Sequence, residues 1–234
     1  MKQVKAAHGA SCVRAPVSVW YRGDVGLTLS GSNVVSWADL SGNGLNLTPI
    51  ATAPTSIVLN GLTAVNFDSS GSQSLNIGSP PFGGAGGLAS VCAVAACSSW
   101  PPPSNASRPA VYSLWTSTYC VSINTLGYYL RAWELFDGAD YIGGSIGPYN
   151  TSQAYSLIAI NDGTTLSGYV NNDDTGRTGG TASLPAVSDL YLGVSPSILT
   201  YFDGVIGEML VYNAALSDDD RTTIYTIHRA VWGL

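Results

Sequence analysis

The sequence predicts an all-β protein, a two-sheet antiparallel sandwich finished by a short C-terminal α-helix. Three observations carry this. Short runs alternating apolar and polar residues recur along the chain, separated by turns rich in Gly, Asn and Ser. Glycine is abundant, at 27 residues, and charge is sparse, at 10%; Tyr, Val, Thr and Ser are common, as suits strands joined by tight turns. Helical spacing is confined to the stretch after Ser217.

A chain of 234 residues is long enough for one large sandwich. The expected division is an N-terminal arm, 1–16, and one domain, 17–234. VSVWYR alternates with period two and opens the domain as its first strand. Residues 23–44 read as turn chemistry, with Gly-Ser-Asn at 31–33 and Ser-Gly-Asn-Gly at 41–44. Strands are expected at 62–68, 74–78 and 88–97, the last two parted by PPFGGAGG. The proline-rich stretch from Ser98 to Pro109 lacks the ladder donors of a central strand and reads as an extended, exposed loop. Beyond it AVYSLWTSTY, YCVSIN, LGYYLRAWELF and AYSLIAIN continue the pattern. NDGT at 161–164 turns a hairpin into LSGYVNN, and DLYLGV and VIGEMLVYN complete the strands.

In GEMLVYN, Met209, Val211 and Asn213 share one face, and Glu208, Leu210 and Tyr212 the other. Ser217 is a good N-cap, and Asp220 stands in capping-box position three residues on. Asp218, Asp219 and Asp220 occupy the first turn, where the helix dipole favours negative charge. They mark a helix start and not a metal cluster. Ile224, Ile227 and Val231 then recur at helical spacing beside His228, and Gly233 ends the helix. The helix is therefore expected to lie on the sandwich, pinned by Trp232 and Leu234.

Charge is unevenly placed. Lys2, Lys5, Arg14 and Arg22 give the first 22 residues four positive charges and no acid, while the remainder holds five arginines, no lysine and all fifteen acidic residues. An acidic body argues against nucleic acid as partner. The basic arm, through Lys2, Lys5 and Arg14, is suited to docking on an acidic neighbour. No apolar run is long enough to span a bilayer, and MKQVKAAHGASCVRAPVSVW lacks the apolar core of a secretory signal. Cys12, Cys92, Cys97 and Cys120 are too few and too scattered for a disulfide framework. Cys92 and Cys97 fall on opposite faces of one strand and read as small buried hydrophobes. With His8 and His228, the cysteines show no zinc spacing.

A strand, then Y-N-x-A-L-S-D-x-x-R, then an amphipathic helix ending in W-G-L resembles the C-terminal signature of concanavalin A-like jelly rolls of the laminin-G-like group. VWYRGDVGLTLSGSNVVSWADLSGNGLNLT resembles that group's opening, in which a tryptophan strand leads to an Asp-x-Ser-Gly-Asn-Gly turn, here Asp39 and Ser41 to Gly44. NGLTAVNFDSSGSQSLNI, INDGTTLSGYVNN and YFDGVIGEMLVYN resemble its next strands, central hairpin and last strand. The resemblance covers Val17 to Leu234 and implies a jelly roll of two curved sheets. It implies settings on secreted multidomain proteins or on bacteriophage virions, and it does not by itself imply an activity.

Glycosidases on this fold place carboxylates in a Glu-x-Asp-x-Glu pattern on one strand face. Here the glutamates are Glu134 and Glu208 alone, and neither lies in such a pattern. Glu134 and Asp137 are three apart, on opposite faces of an extended strand. Glu208 belongs to the last strand and reads as structural. No Ser/His/Asp arrangement is visible, so no catalytic residue is assigned.

A saccharide site needs an aromatic platform and a few hydrogen-bonding groups. Tyr129, Arg131 and Trp133 alternate onto one face, either as a stacking platform or, for Trp133, as core. Trp100, in the proline-rich loop, is the other candidate contact. No cofactor is assigned. Asp137 with Asp140, and Asp173 with Asp174, offer two carboxylates each where calcium takes six to eight oxygens. The sequons at Asn46, Asn105 and Asn150 matter only in a glycosylating compartment. The expectation is a non-enzymatic virion surface protein of a bacteriophage, a capsid decoration or fibre-type subunit and homo-oligomer. It would hold other virion proteins through its arm and bind cell-surface glycan. The alternatives are a carbohydrate-binding adhesion module of a bacterial surface and, third, a glycoside hydrolase.

Overall fold

A computed structural model describes residues 13–80, 89–99, 109–115, 120–126, 132–136, 141–144, 150–180, 187–196 and 198–234. The chain opens with β1 (Val17–Arg22), β2 (Leu27–Ser30), β3 (Asn33–Trp37) and β4 (Thr48–Pro49). Next come β5 (Thr55–Leu59), β6 (Leu62–Phe67), β7 (Leu75–Gly78), β8 (Ala89–Cys97) and β9 (Ala110–Trp115). β10 (Cys120–Leu126), β11 (Ala132–Phe136), β12 (Tyr141–Gly144), β13 (Ala154–Asn161) and β14 (Thr165–Val170) follow. The last strands are β15 (Asp173–Gly180), β16 (Asp189–Leu192), β17 (Val194–Ser195), β18 (Thr200–Tyr201) and β19 (Gly204–Tyr212), before helix α1 (Asp218–Trp232).

Two antiparallel sheets form the sandwich, as the sequence predicts. The larger has ten strands in the order β15-β14-β13-β8-β19-β6-β5-β3-β2, with β1 also on β19. The smaller has seven, in the order β12-β11-β10-β9-β16-β7-β4. Between them Val91, Leu157, Met209 and Val211 of the large sheet meet Leu75, Tyr112, Leu190 and Leu192 of the small one.

The large sheet is covered on its other face as well. There Cys92, Ile158, Leu210 and Tyr212 pack with Ile224 of α1, and Val94, Ala96 and Val205 pack with Trp232. This double cover explains why β8, β13 and β19 are buried at every residue. A strand enclosed on both sides reads as a continuous apolar run such as ASVCAVAAC and not as an alternating one. Each Leu- or Ile-sized side chain so enclosed is worth about 1.5–3 kcal/mol of burial. Cys92 lies on the helix side and Cys97 in the inter-sheet core, both as free thiols, so the opposite-face expectation holds.

The helix ends are built as the spacing predicts. The backbone N–H of Asp220 donates to Ser217 Oγ at 3.2 Å, and the hydroxyl returns a bond to Asp220 Oδ2 at 3.0 Å. The other oxygen, Oδ1, accepts from the Arg14 N–H at 3.0 Å, and Val13 is buried against the same cluster as Ile224. Residues 13–16, assigned to the arm from sequence, thus include a segment docked on the body. At the far end Gly233 adopts φ 66° and donates to the Arg229 carbonyl at 3.0 Å. Arg221 ties α1 sideways to the β14–β15 hairpin: its guanidinium lies 4.1 Å from the Tyr169 ring centre and donates to the Asn172 carbonyl at 3.1 Å. Asn171 and Asn172, at φ 50° and 71°, supply the paired left-handed positions of a two-residue hairpin turn.

A bulge at Gly207 organises the last strand. Before it β19 pairs with β6, up to Ile206↔Val65; after it β19 pairs with β1, from Glu208↔Arg22. A Cβ on Gly207 would stand 2.7 Å from the Trp232 ring, so the bulge needs glycine to leave room for the indole.

The opening departs in detail from the turn-only reading of 23–44. Residues Gly23–Gly26 form a single helical turn beside an Arg22–Asp24 ion pair of 2.6 Å, and β2 and β3 form a hairpin. The 39–44 turn itself is as read. The Asp39 carboxylate accepts from the N–H groups of Trp20, Ser41 and Leu45 at 3.1, 2.9 and 3.2 Å, and from the Ser41 hydroxyl at 2.8 Å.

Candidate functional site

Among the described residues, two neighbouring strands of the small sheet, β7 and β16, turn a polar side away from the core. In β7 and β16 the apolar residues Leu75, Ile77, Leu190 and Leu192 enter the core. Period-two alternation then places Asn76, Gly78, Asp189 and Tyr191 on the opposite side. The ladder sets Tyr191 directly opposite Asn76, and Asp189 opposite Gly78. Thr48 flanks Asn76 from the edge strand β4. Asn76 Nδ2 donates to Asp189 Oδ1 at 3.3 Å, and that oxygen stands only 3.6 Å from where a Cβ on Gly78 would be.

On its other side Tyr191 pairs with Ser113 of β9. Ser113 is buried, its hydroxyl donating to the Val194 carbonyl at 3.0 Å, so β17 bounds the face there. Asp189 pairs in the ladder with Trp115. Partial burial, and then the nearby Asp189, push the Tyr191 phenol above its ordinary range, so it remains a neutral hydrogen-bond donor at neutral pH. The face thus combines a half-exposed aromatic ring with an amide, a carboxylate and a hydroxyl. These are the elements that stack on a pyranose and bond its hydroxyls.

Of the site residues expected from sequence, Tyr129, Arg131, Trp100, Lys2 and Lys5 lie outside the described residues. Trp133 is in β11, opposite Thr125 in the ladder. Arg14 is exposed, its backbone held by Asp220. Asp137 and Asp140 lie outside the described residues. Asp173 and Asp174 start β15, paired with Val170 and Tyr169. Among the described residues no group of three or more His, Cys, Asp or Glu is placed to hold a metal. Tyr191, Asn76 and Asp189 were not singled out from sequence. The alternation within SLNIG and DLYLGV was the available signal, since it leaves Asn76 and Tyr191 on the polar face of apolar strands.

The remaining acids of the described residues are largely engaged in structure. Glu208 is 1% exposed and accepts from the indole of Trp20 through Oε1 at 2.8 Å and from that of Trp232 through Oε2 at 2.7 Å. Burial pushes its carboxyl above the usual range, the two indole donors and Arg22 oppose this, and Asp24 adds to the rise. Asp68 and Asp162 are held below the usual range by hydrogen bonds from Ser70 and from Thr164 and Thr165 in exposed turns. His228 is fully buried, with Nδ1 2.9 Å from Ser156 Oγ. The sequon residue Asn46 accepts from the Asp39 N–H at 3.0 Å.

Residues 109–220, β9 to the first turn of α1, match the laminin-G-like model described as the concanavalin A-like lectin/glucanases superfamily, in agreement with the resemblance read from sequence. No curated protein matches the chain. Among solved structures it is similar to a Trypanosoma rangeli sialidase in complex with the inhibitor DANA. The TM-score is 0.65 at 13% identity, over 92% of this chain and 33% of the sialidase. It is similar also to domain 4 of AbnA, a GH43 extracellular arabinanase from Geobacillus stearothermophilus, in complex with arabinotriose. There the TM-score is 0.67 at 15% identity, over 90% of this chain and 98% of that one. The botulinum neurotoxin serotype G binding domain aligns with a TM-score of 0.65 at 12% identity, over 93% of this chain and 54% of that one. The chain therefore spans about a third of the sialidase it matches, and at these identities the likeness is one of fold.

Proposed function

We propose that this concanavalin A-like jelly roll is a non-catalytic saccharide-binding module displayed on an outer surface, with its site at Tyr191, Asn76 and Asp189. The observation that carries the reading is the partly buried Tyr191, on the side of β16 turned from the core, set opposite Asn76 in the ladder and next to Asp189. The arabinanase domain of matching extent, described in complex with arabinotriose, supports it as a precedent of fold and size. A hydrolase would need two carboxylates about 5–9.5 Å apart across a sugar; Glu208, enclosed by two indoles, is poorly suited to that role. The test is a glycan array probed with the wild-type chain and with Tyr191→Ala. Binding to a defined saccharide class that the substitution abolishes supports the site. Binding untouched by it, or saccharide turnover lost in Glu134→Gln or Glu208→Gln, contradicts the reading.

The surface is proposed to be that of a bacteriophage particle, as a capsid decoration or fibre-type subunit; a bacterial cell surface is the alternative. The observation favouring attachment through the arm is its basic character, with Lys2, Lys5 and Arg14 set against an acidic body. Its last residues are fixed to the N-terminal end of α1 by the Arg14–Asp220 bond, so the remainder starts from a defined point. Deleting residues 1–12, which leaves that anchor in place, should release the protein from its particle. Retention at wild-type level counts against the arm.

A further inference from the structure

The charge at the saccharide site is negative, and nothing in the strands around it offsets that. The seven strands of the small sheet carry two charged residues, Asp189 in β16 and Glu134 in β11, and no lysine or arginine. β16, its neighbours β7 and β9, and β4 beyond them carry Asp189 alone. Asp189 is partly buried. Among the described residues it has no ion-pair partner, and its side chain accepts one hydrogen bond, from Asn76 Nδ2 onto Oδ1. A carboxylate accepts hydrogen bonds and donates none, so Oδ2 and the spare lone pair of Oδ1 call for a donor. The wider field has the same sign: beyond residue 22 the chain holds fifteen acids against five arginines.

We propose, resting on the saccharide site argued above, that Asp189 makes it selective for saccharides without anionic groups. Sugar hydroxyls donate to the Asp189 carboxylate beside Tyr191, while sialic acids, uronic acids and sulfated or phosphorylated sugars are turned away. A hydroxyl supplies the donor that Asp189 lacks and brings no charge. A carboxylate, sulfate or phosphate set against Tyr191 or Asn76 meets a like charge, because Asn76 is bonded to Asp189 and Tyr191 lies on the same side of β16 two residues on. Two anions at such range repel, and more strongly where they are partly withdrawn from water. Asp189 thus sets which sugars enter, and Tyr191 supplies the surface on which they rest.

A glycan array of matched pairs tests it, each neutral glycan printed beside its sialylated, uronate-bearing or sulfated form. The probes are the wild-type chain, Asp189→Asn and Tyr191→Ala. The wild type should bind the neutral member at least about tenfold more strongly than the acidic one, as a like charge at short range implies. Asp189→Asn keeps the shape and can still accept from Asn76, and it should close most of that gap; the ratio within each pair is the reading, not the absolute strength. Acidic glycans bound as well as their neutral partners, by a wild type whose binding Tyr191→Ala abolishes, overturn the selectivity and leave the site standing. A gap that Asp189→Asn leaves unchanged overturns the role of Asp189. No glycan binding, or binding indifferent to Tyr191→Ala, removes the site itself and the proposal with it. Should Asp189→Asn fail to fold, the wild type decides: the gap must narrow as salt is raised, because solvent-accessible charges are screened, and a gap independent of salt contradicts the proposal.

Discussion

The indole N–H of Trp232 donates to Oε2 of Glu208 at 2.7 Å, joining the last turn of α1 to the centre of the large sheet. The other oxygen takes the Trp20 indole from β1, so one buried carboxylate holds the first strand, the last strand and the terminal helix together. The bulge at Gly207 makes room for the Trp232 ring that brings its N–H to this position. The helix is thus part of the domain's closure.

Replacing Glu208 with Ala leaves two indole donors without their acceptor, each costing about 1–3 kcal/mol where it stays buried. The expected loss is on the order of 3 kcal/mol in urea unfolding. Trp232→Phe should lose less, since it keeps most of the ring and removes one donor. Equal stability of Glu208→Ala and wild type would remove the carboxylate from its structural role.

The same residue sets a pH dependence. Its folded-state pKa is raised, burial being the largest cause, so the native state keeps the proton to higher pH than the unfolded chain does. Its contribution is fully present below the unfolded value, about 4.3, and is lost as pH rises through the native value. Glu208→Gln cannot titrate there. The stability difference between wild type and this variant should therefore shift steadily in the variant's favour as pH rises. A difference independent of pH would contradict the shift.

Ser217→Ala removes the cap on α1 and should cost about 1 kcal/mol. Asp220→Ala should cost more, because its carboxylate also receives the Ser217 hydroxyl and the Arg14 N–H. Thermal midpoints of the two variants rank these effects. A milder Asp220 variant would mean that the docking of residues 13–16 adds nothing.

Burial pushes the Cys97 thiol up to about 12, with Asp203 as the next cause, and raises Cys92 further still. Thiolate is the reactive form, so at pH 8 neither should take up iodoacetamide in the native protein. Both should label in denaturant, as read by peptide mass mapping. Native labelling of Cys92 would show that the face beneath α1 opens.

Much of the fold was legible because its signals are local. β1, β6, β8, β13 and β19 announce themselves by apolar runs between turns, and α1 by Ser217, three aspartates and Gly233. β15 was not legible: DDTGRTGG has poor strand propensity and is a strand because β14 pairs with it across the Asn171–Asn172 turn. β5 was missed because its apolar residues Ile57 and Val58 do not alternate with polar ones; both are exposed, past the one pairing of β5 with β3 at Thr55. The hydrogen bonds that enclose Glu208 come from partners 188 and 24 residues away, beyond any local pattern. Tyr191 is the lone aromatic of DLYLGV, whereas Tyr129, Arg131 and Trp133 alternate together in one run, so the local pattern points to the latter.

The most direct measurement is a titration of the chain with saccharides of the class found on the array, followed by amide NMR shifts in wild type and in Tyr191→Ala. A shared saccharide should move the resonances of Asn76, Asp189 and Tyr191 in the wild type and leave the variant's small sheet unmoved while its fold is intact. Shifts confined to other faces of the molecule, or no shift with any saccharide, would contradict the account.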